Sequence, residues 1–216
     1  MRCMILVAAA LLPGCAKQQK KKKKVEHHYY SLVLEAADQR VLPELQRKKA
    51  QVDLRRVDLP DFLDSRSLVL QVNSNKITHA KHHHWGEPLD IAVRKVLAWD
   101  IALAEPALEV ALGQSHEPDC TLVVEFDRLH ATNDSRVLAS GRYTLTIGER
   151  DQQREFDVTQ VQQGNGYTST VTGMRRAIDA LSKEMMPLLS RCLPHPEQKA
   201  QQKDQKDQKD QKDQGE

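Results

Sequence analysis

Six histidines crowd two short stretches of this chain, His27-His28 and then His79, His82, His83 and His84. Neutral imidazole is a common ligand for zinc, copper or nickel. A site needs donors that converge, and along a strand successive side chains point to opposite faces. His82 and His84 therefore face one way, His79 and His83 the other. One strand makes a geometrically poor four-ligand site, and no Asp, Glu or Cys at characteristic spacing completes the set. We expect an exposed polar strand here, with no metal and no cofactor.

The other chemistry-bearing residues form no catalytic constellation. The chain has no nucleophile elbow, no zinc-protease motif, no Cys-x-x-Cys and no P-loop. Glu87 and Asp90 share a helix start, where carboxylates complement the dipole. Arg55-Arg56 and Arg175-Arg176 are isolated basic pairs, better read as solvated surface than as a nucleic-acid interface. No active site is expected, and the chain is read as non-enzymatic.

The cysteines carry more. Met1-Arg2 is a short positive region, and residues 3–12 (CMILVAAALL) are an apolar run of secretory-signal length. Leu12-Pro13-Gly14-Cys15 then resembles the bacterial lipobox, with Leu12 the apolar anchor, Gly14 the small residue before the cut and Cys15 the lipidated residue. Pro13 departs from the usual residue there. Ala16 after the cysteine, in place of Asp, points by the same resemblance to the outer membrane. Three acyl chains would hold the protein in a bilayer almost permanently, since each buried CH₂ is worth about 0.8 kcal/mol. Two cysteines remain, Cys120 and Cys192. In an oxidising compartment they are a candidate disulfide; two buried free thiols are the other reading.

Composition fits this division. The 216 residues are 39% hydrophobic and 29% charged with a net charge of +2, and the mean hydropathy is −0.61. The longest apolar run is half of the ~20 residues a spanning helix needs, which excludes a polytopic membrane protein. The net charge hides opposed parts. Residues 15–24 hold six Lys, whereas 25–196 hold 20 basic and 24 acidic residues. Like-charge runs stay extended, so the Lys-rich arm reads as a tether of at most ~50 Å from Cys15 to Tyr29. After Ala200 come repeats of Gln-Lys-Asp with nothing apolar to bury, a composition that stays disordered. We therefore divide the chain into a signal peptide at 1–14, a lipidated Lys-rich tether at 15–28, a folded domain at 29–192 and a low-complexity tail at 193–216.

The domain alternates strand and helix patterns. Strands are expected at Tyr29–Leu34, Val52–Pro60, Ser67–Val72 and Lys76–His84, with a tight corner at Asp61–Asp64. Pro88 suits a first helical position, and Leu89, Ala92, Val93, Val96, Leu97, Ile101 and Ala104 recur at helical spacing. Three further strands follow: Thr121–Leu129, Arg136–Gly148 and Arg154–Val161. Gly164-Asn165-Gly166 is a turn. A last helix spans roughly Thr168–Arg191, with Met174, Ala177, Ile178, Leu181, Met185 and Leu188 on one face. The fold class is α/β, a single domain with a mostly antiparallel sheet and two helices packed on one face.

Five segments carry a family resemblance: Tyr29-Tyr30-Ser31-Leu32, Val57–Asp64, His84-Trp85-Gly86-Glu87-Pro88-Leu89, Ser140-Gly141-Arg142-Tyr143 and Gly164-Asn165-Gly166-Tyr167. In order and spacing, from about Tyr29 to Leu189, they resemble ABC-type transport auxiliary lipoproteins of the paraquat-inducible protein C (PqiC/YmbA) type. The resemblance implies an outer-membrane lipoprotein facing the periplasm. It would be a docking or accessory subunit for an MCE-domain protein and inner-membrane components of an ABC-linked lipid transport system. It also implies a homo-oligomeric ring, no nucleic-acid partner, and motif residues that are structural. Pro60 and Asp61 would set a corner, and Trp85 and Pro88 the entry to a helix. Two alternatives compete with it. One is a periplasmic module that binds lipid by itself; the other is a metal-binding lipoprotein using His79–His84.

Overall fold

The computed structural model describes residues 25–33, 50–113 and 115–194. The signal peptide, Cys15, the Lys run and the Gln-Lys-Asp repeats lie outside the described residues. Among the described residues, eight strands and two helices follow in the order β1 (His28–Tyr30), β2 (Ala50–Asp58), β3 (Ser67–Asn73), β4 (Lys76–Trp85), α1 (Leu89–Ala104), β5 (Leu108–Ala111), β6 (Cys120–Thr132), β7 (Arg136–Ile147), β8 (Arg150–Val161) and α2 (Tyr167–Leu189). Short 3₁₀ turns occupy Asp61–Leu63 and Ser190–Cys192. β1 begins at His28, so the folded domain starts one residue inside the segment assigned to the tether.

All eight strands belong to one mixed sheet. β6 is its axis. One edge of β6 pairs with β7 along most of its length. The other edge is shared by two parallel strands, β2 at Cys120–Glu125 and β3 at Ala131 and Thr132. β7 continues into β8, and β3 into β4, as antiparallel ladders. β5 flanks β2, and β1 flanks β4, both in parallel. The long ladders are thus antiparallel and the short junctions parallel. The sequence leaves β5 unread because it has only four residues, too few to show a period.

The helices cover one face. Leu122, Val124 and Phe126 of β6 and Tyr143 and Leu145 of β7 alternate into the core, each at most 4% exposed. Against them α1 buries Ala92, Val93, Val96, Leu97 and Ile101, and α2 buries Met174, Ala177, Ile178, Leu181 and Met185. Ala104 is exposed, so the α1 stripe ends at Ile101. Each fully buried Leu or Ile contributes about 1.5–3 kcal/mol.

An ion pair and a covalent bond fasten this layer. Asp100 of α1 accepts two hydrogen bonds from the Arg175 guanidinium of α2, at 2.5 and 2.8 Å. Both side chains are nearly buried, at 6% and 13% exposed. Burial pushes the Asp100 carboxyl up, and Arg175 opposes that shift. At the other end, Cys120 and Cys192 are joined by a disulfide with their Cα atoms 5.9 Å apart. It ties the start of β6 to the turn that follows α2.

Candidate functional site

The segments that carry the family resemblance lie far apart in sequence, and several converge in space. β2 ends at Asp58, and Pro60 opens the 3₁₀ turn with an extended backbone (φ −65°, ψ 150°). The Leu63 amide donates to the Pro60 carbonyl at 2.8 Å, closing the corner and burying Leu63. Trp85 ends β4 and is 5% exposed. Its amide donates to the Arg66 carbonyl, and the Gly86 amide donates to the Tyr30 carbonyl at 2.8 Å. Pro88 is the N-cap and Leu89 the first helical residue of α1, one position later than the spacing suggests. The Pro88 carbonyl still accepts the first helical bond, from Ala92.

The corner and the helix entry enclose an open cleft of about 440 Å³. Asp58, Asp61, Asp64 and Asp90 line it, with Arg66 among them. Asp58 is also paired with Arg56 at 2.7 Å. The cleft is therefore acidic, and no His or Cys lines it. It can attract cationic groups. Glu87 and Asp90, read from sequence as helix-start carboxylates, separate here: Asp90 lines the cleft, whereas Glu87 accepts from Lys95 at 2.6 Å.

The histidines occupy the edge beside this site. β1 lies parallel to β4 with His28 opposite His83, Tyr29 opposite His84 and Tyr30 opposite Trp85. On the helix side, His28 stacks on His83 with ring centres 5.0 Å apart, and His83 stacks on Tyr167 at 3.8 Å. The Tyr30 hydroxyl lies 2.8 Å from His83 Nδ1. Burial, then the neighbouring imidazoles, pull the His83 value down, so this ring favours the neutral form. On the other side, His27 Nδ1 lies 2.9 Å from His84 Nε2, with His82 beside them. The sequence gives no sign of this union of His27-His28 with His82–His84. It depends on a parallel pairing across more than fifty residues, and β1 is too short to announce its partner.

The remaining motif segments brace the sheet. Gly141 lies opposite Phe126 and Phe156, where β6 and β7 approach closely. Arg142 donates twice to Glu125 on the open face, at 2.8 and 2.9 Å, holding that carboxyl below its usual range. Gly164 and Gly166 both take positive φ (97° and 89°) and turn the chain into α2, whose first residue is Tyr167. Of the two basic pairs, Arg175 is committed to Asp100 and Arg56 to Asp58.

The sequence model for the ABC-type transport auxiliary lipoprotein component family matches residues 30–186. The chain belongs to this family. The match spans every motif segment just described except Tyr29. Among its relatives are the proteins called intermembrane transport lipoprotein PqiC in Escherichia coli (strain K12) and in Shigella flexneri. Each is 27% identical over 118 residues, which is 55% of this chain and 63% of the relative. The aligned part is thus a little under two thirds of those relatives' length. Two crystal structures share the fold. An uncharacterized protein superposes with a TM-score of 0.65 at 24% identity, covering 76% of this chain and 99% of its own. A Xanthomonas campestris protein gives 0.53 at 12% identity, covering 82% and 96%.

Proposed function

We propose that this protein is a lipid-anchored accessory subunit of an envelope lipid-transport system. It is held to the outer membrane through Cys15 and faces the periplasm. There it docks an MCE-domain protein whose inner end is served by ABC-linked components of the inner membrane. The observation that carries this reading is the family match across residues 30–186. The motif segments gathered around one corner of the sheet support it, because together they build one open surface cleft. In the same reading residues 1–14 are removed, the Lys-rich arm at 15–28 spans from lipid to β1, residues 193–216 form a solvated tail, and copies of the domain assemble into a ring.

Anchoring is tested by fractionating cell envelopes. The wild-type chain should take up labelled palmitate and sediment with outer-membrane vesicles, and Cys15→Ser should do neither. A Cys15→Ser variant that still sediments with the outer membrane would overturn the lipid anchor.

A further inference from the structure

The junction of β1 with β4 depends on side chains, because its backbone ladder is only three residues long. So short a ladder is marginal by itself. Little apolar surface is buried there either: His27 and His28 are exposed, and Tyr29 is 70% exposed. What spans the junction is imidazole. His27 Nδ1 meets His84 Nε2 head-on at 2.9 Å. His28 stacks on His83 with ring centres 5.0 Å apart, and the His82 ring centre lies 5.3 Å from that of His27. These separations fall inside the ~8 Å screening length of physiological salt.

Each cross-strand pair accommodates one proton and not two. In the His27–His84 bond one nitrogen carries the hydrogen and the other accepts it, and a ring protonated on both nitrogens has no acceptor to offer. One imidazolium facing one neutral ring keeps the bond; two imidazolium rings lose it and repel. The His28–His83 stack meets the same repulsion. Among the described residues, none of the five histidines is ion-paired with a carboxylate. The neighbours that titrate or carry charge are Glu26, Tyr29 and Tyr30 on the β1 segment, Lys81 of β4, Arg66 at the Trp85 end of the ladder and Tyr167 of α2. One carboxylate thus stands against five imidazoles and two fixed cations. Burial, then His28, His82 and His84, lower the His83 value, as this crowding requires.

We propose that His27, His28, His82, His83 and His84 form a pH-sensitive clasp that docks β1 on β4 while the rings are largely neutral and releases it as acid protonates both members of the cross-strand pairs. The released strand binds more protons than the docked one. Docking is therefore favoured above the ordinary imidazole value of about 6.5 and is lost as pH falls below it. Release stops at Leu32, which is 1% exposed. It frees residues 27–31 and lengthens the arm that precedes the domain by at most ~17 Å. That lengthening of a membrane tether rests on the anchored reading of the protein; the release itself does not.

The test is hydrogen exchange of the purified full-length chain, read by mass spectrometry and normalised at each pH to the unfolded rate. Protection of residues 26–31 should fall about tenfold or more between pH 7.5 and 5.5, the change that one proton excluded from the docked state produces per pH unit. Protection of β7 reports opening of the whole fold and should fall less. In His27→Gln/His28→Phe a hydrogen-bonding side chain still faces His84 and a ring still stacks on His83, but neither titrates. That variant should hold its β1 protection within about twofold across the same range. His84→Gln leaves β1 unaltered and should also flatten the fall, which keeps the test decisive if the double variant docks poorly at both pH values. Wild-type β1 protection that is unchanged, or that falls only in step with β7, would overturn the clasp. So would a fall as steep as wild type in both variants.

Discussion

A Cβ placed on Gly141 would lie 2.0 Å from the Glu125 carbonyl oxygen and 2.9 Å from Phe126 Cα. Both are backbone atoms of the central strand, so neither can rotate away. Gly141→Ala should therefore cost about 2–4 kcal/mol, read as a lower urea midpoint. Gly148 is the control: it has positive φ (59°) but nothing within 4 Å of a Cβ. Gly148→Ala should cost only the ~1–2 kcal/mol of a left-handed non-glycine residue. Equal losses at the two sites would contradict the close-approach account. At this scale the sequence is informative about residue type and silent about neighbours. Gly141 is legible as part of a motif and as one position of an alternating strand; the carbonyl that forbids a side chain there is not. The same holds for His27, whose partner lies on β4, 57 residues away.

Among elements, periodicity reads well and pairing reads poorly. The apolar faces of α1 and α2 follow from spacing, as do β6 and β7, because long elements repeat their pattern several times. The parallel junctions β1–β4, β2–β5 and β3–β6 involve only two to four paired residues each. So few residues cannot set a register by hydrophobic pattern alone. Asp100 also breaks the pattern. It is a charge 7% exposed within an apolar helix face, explicable only once Arg175 of α2 is placed beside it. Arg175→Met should cost about 3–5 kcal/mol, because it strands a buried carboxylate. Adding Asp100→Leu should recover most of that loss, since an apolar pair of similar volume is often neutral or better. A double variant as unstable as Arg175→Met alone would contradict this view of the interhelical link.

For the whole molecule, pH reads out two imidazoles, His130 buried and His83 half-buried. Burial, and then Arg128, lowers the His130 value; burial and the neighbouring histidines lower that of His83. His130 is 3% exposed and bonded to Gln71, so protonation in the fold is opposed. Both folded values fall below the ordinary 6.5, and the unfolded chain binds more protons as acid is added. Their contribution is thus present above pH ~6.5 and is lost as pH falls toward the folded values. Asp100, raised by burial, acts in the opposite sense, so the histidine part is isolated by substitution. The fall in urea midpoint between about pH 7.5 and 5.5 should be shallower in His130→Gln than in wild type. An unchanged slope would remove His130 from the account.

Function at this scale rests on what the folded domain joins. The domain region is mildly acidic, with 24 acidic against 20 basic residues in 25–196, whereas residues 15–24 carry six Lys. In the proposed anchored arrangement, an anionic surface would attract the basic arm and repel the mildly acidic domain. The most direct measurement is affinity purification of the full, acylated chain from detergent-solubilised envelopes of cells with intact neighbouring genes, followed by mass spectrometry. The account predicts stoichiometric recovery of an MCE-domain protein. Recovery of the lipoprotein alone, with its anchor intact and its fold verified, would contradict it.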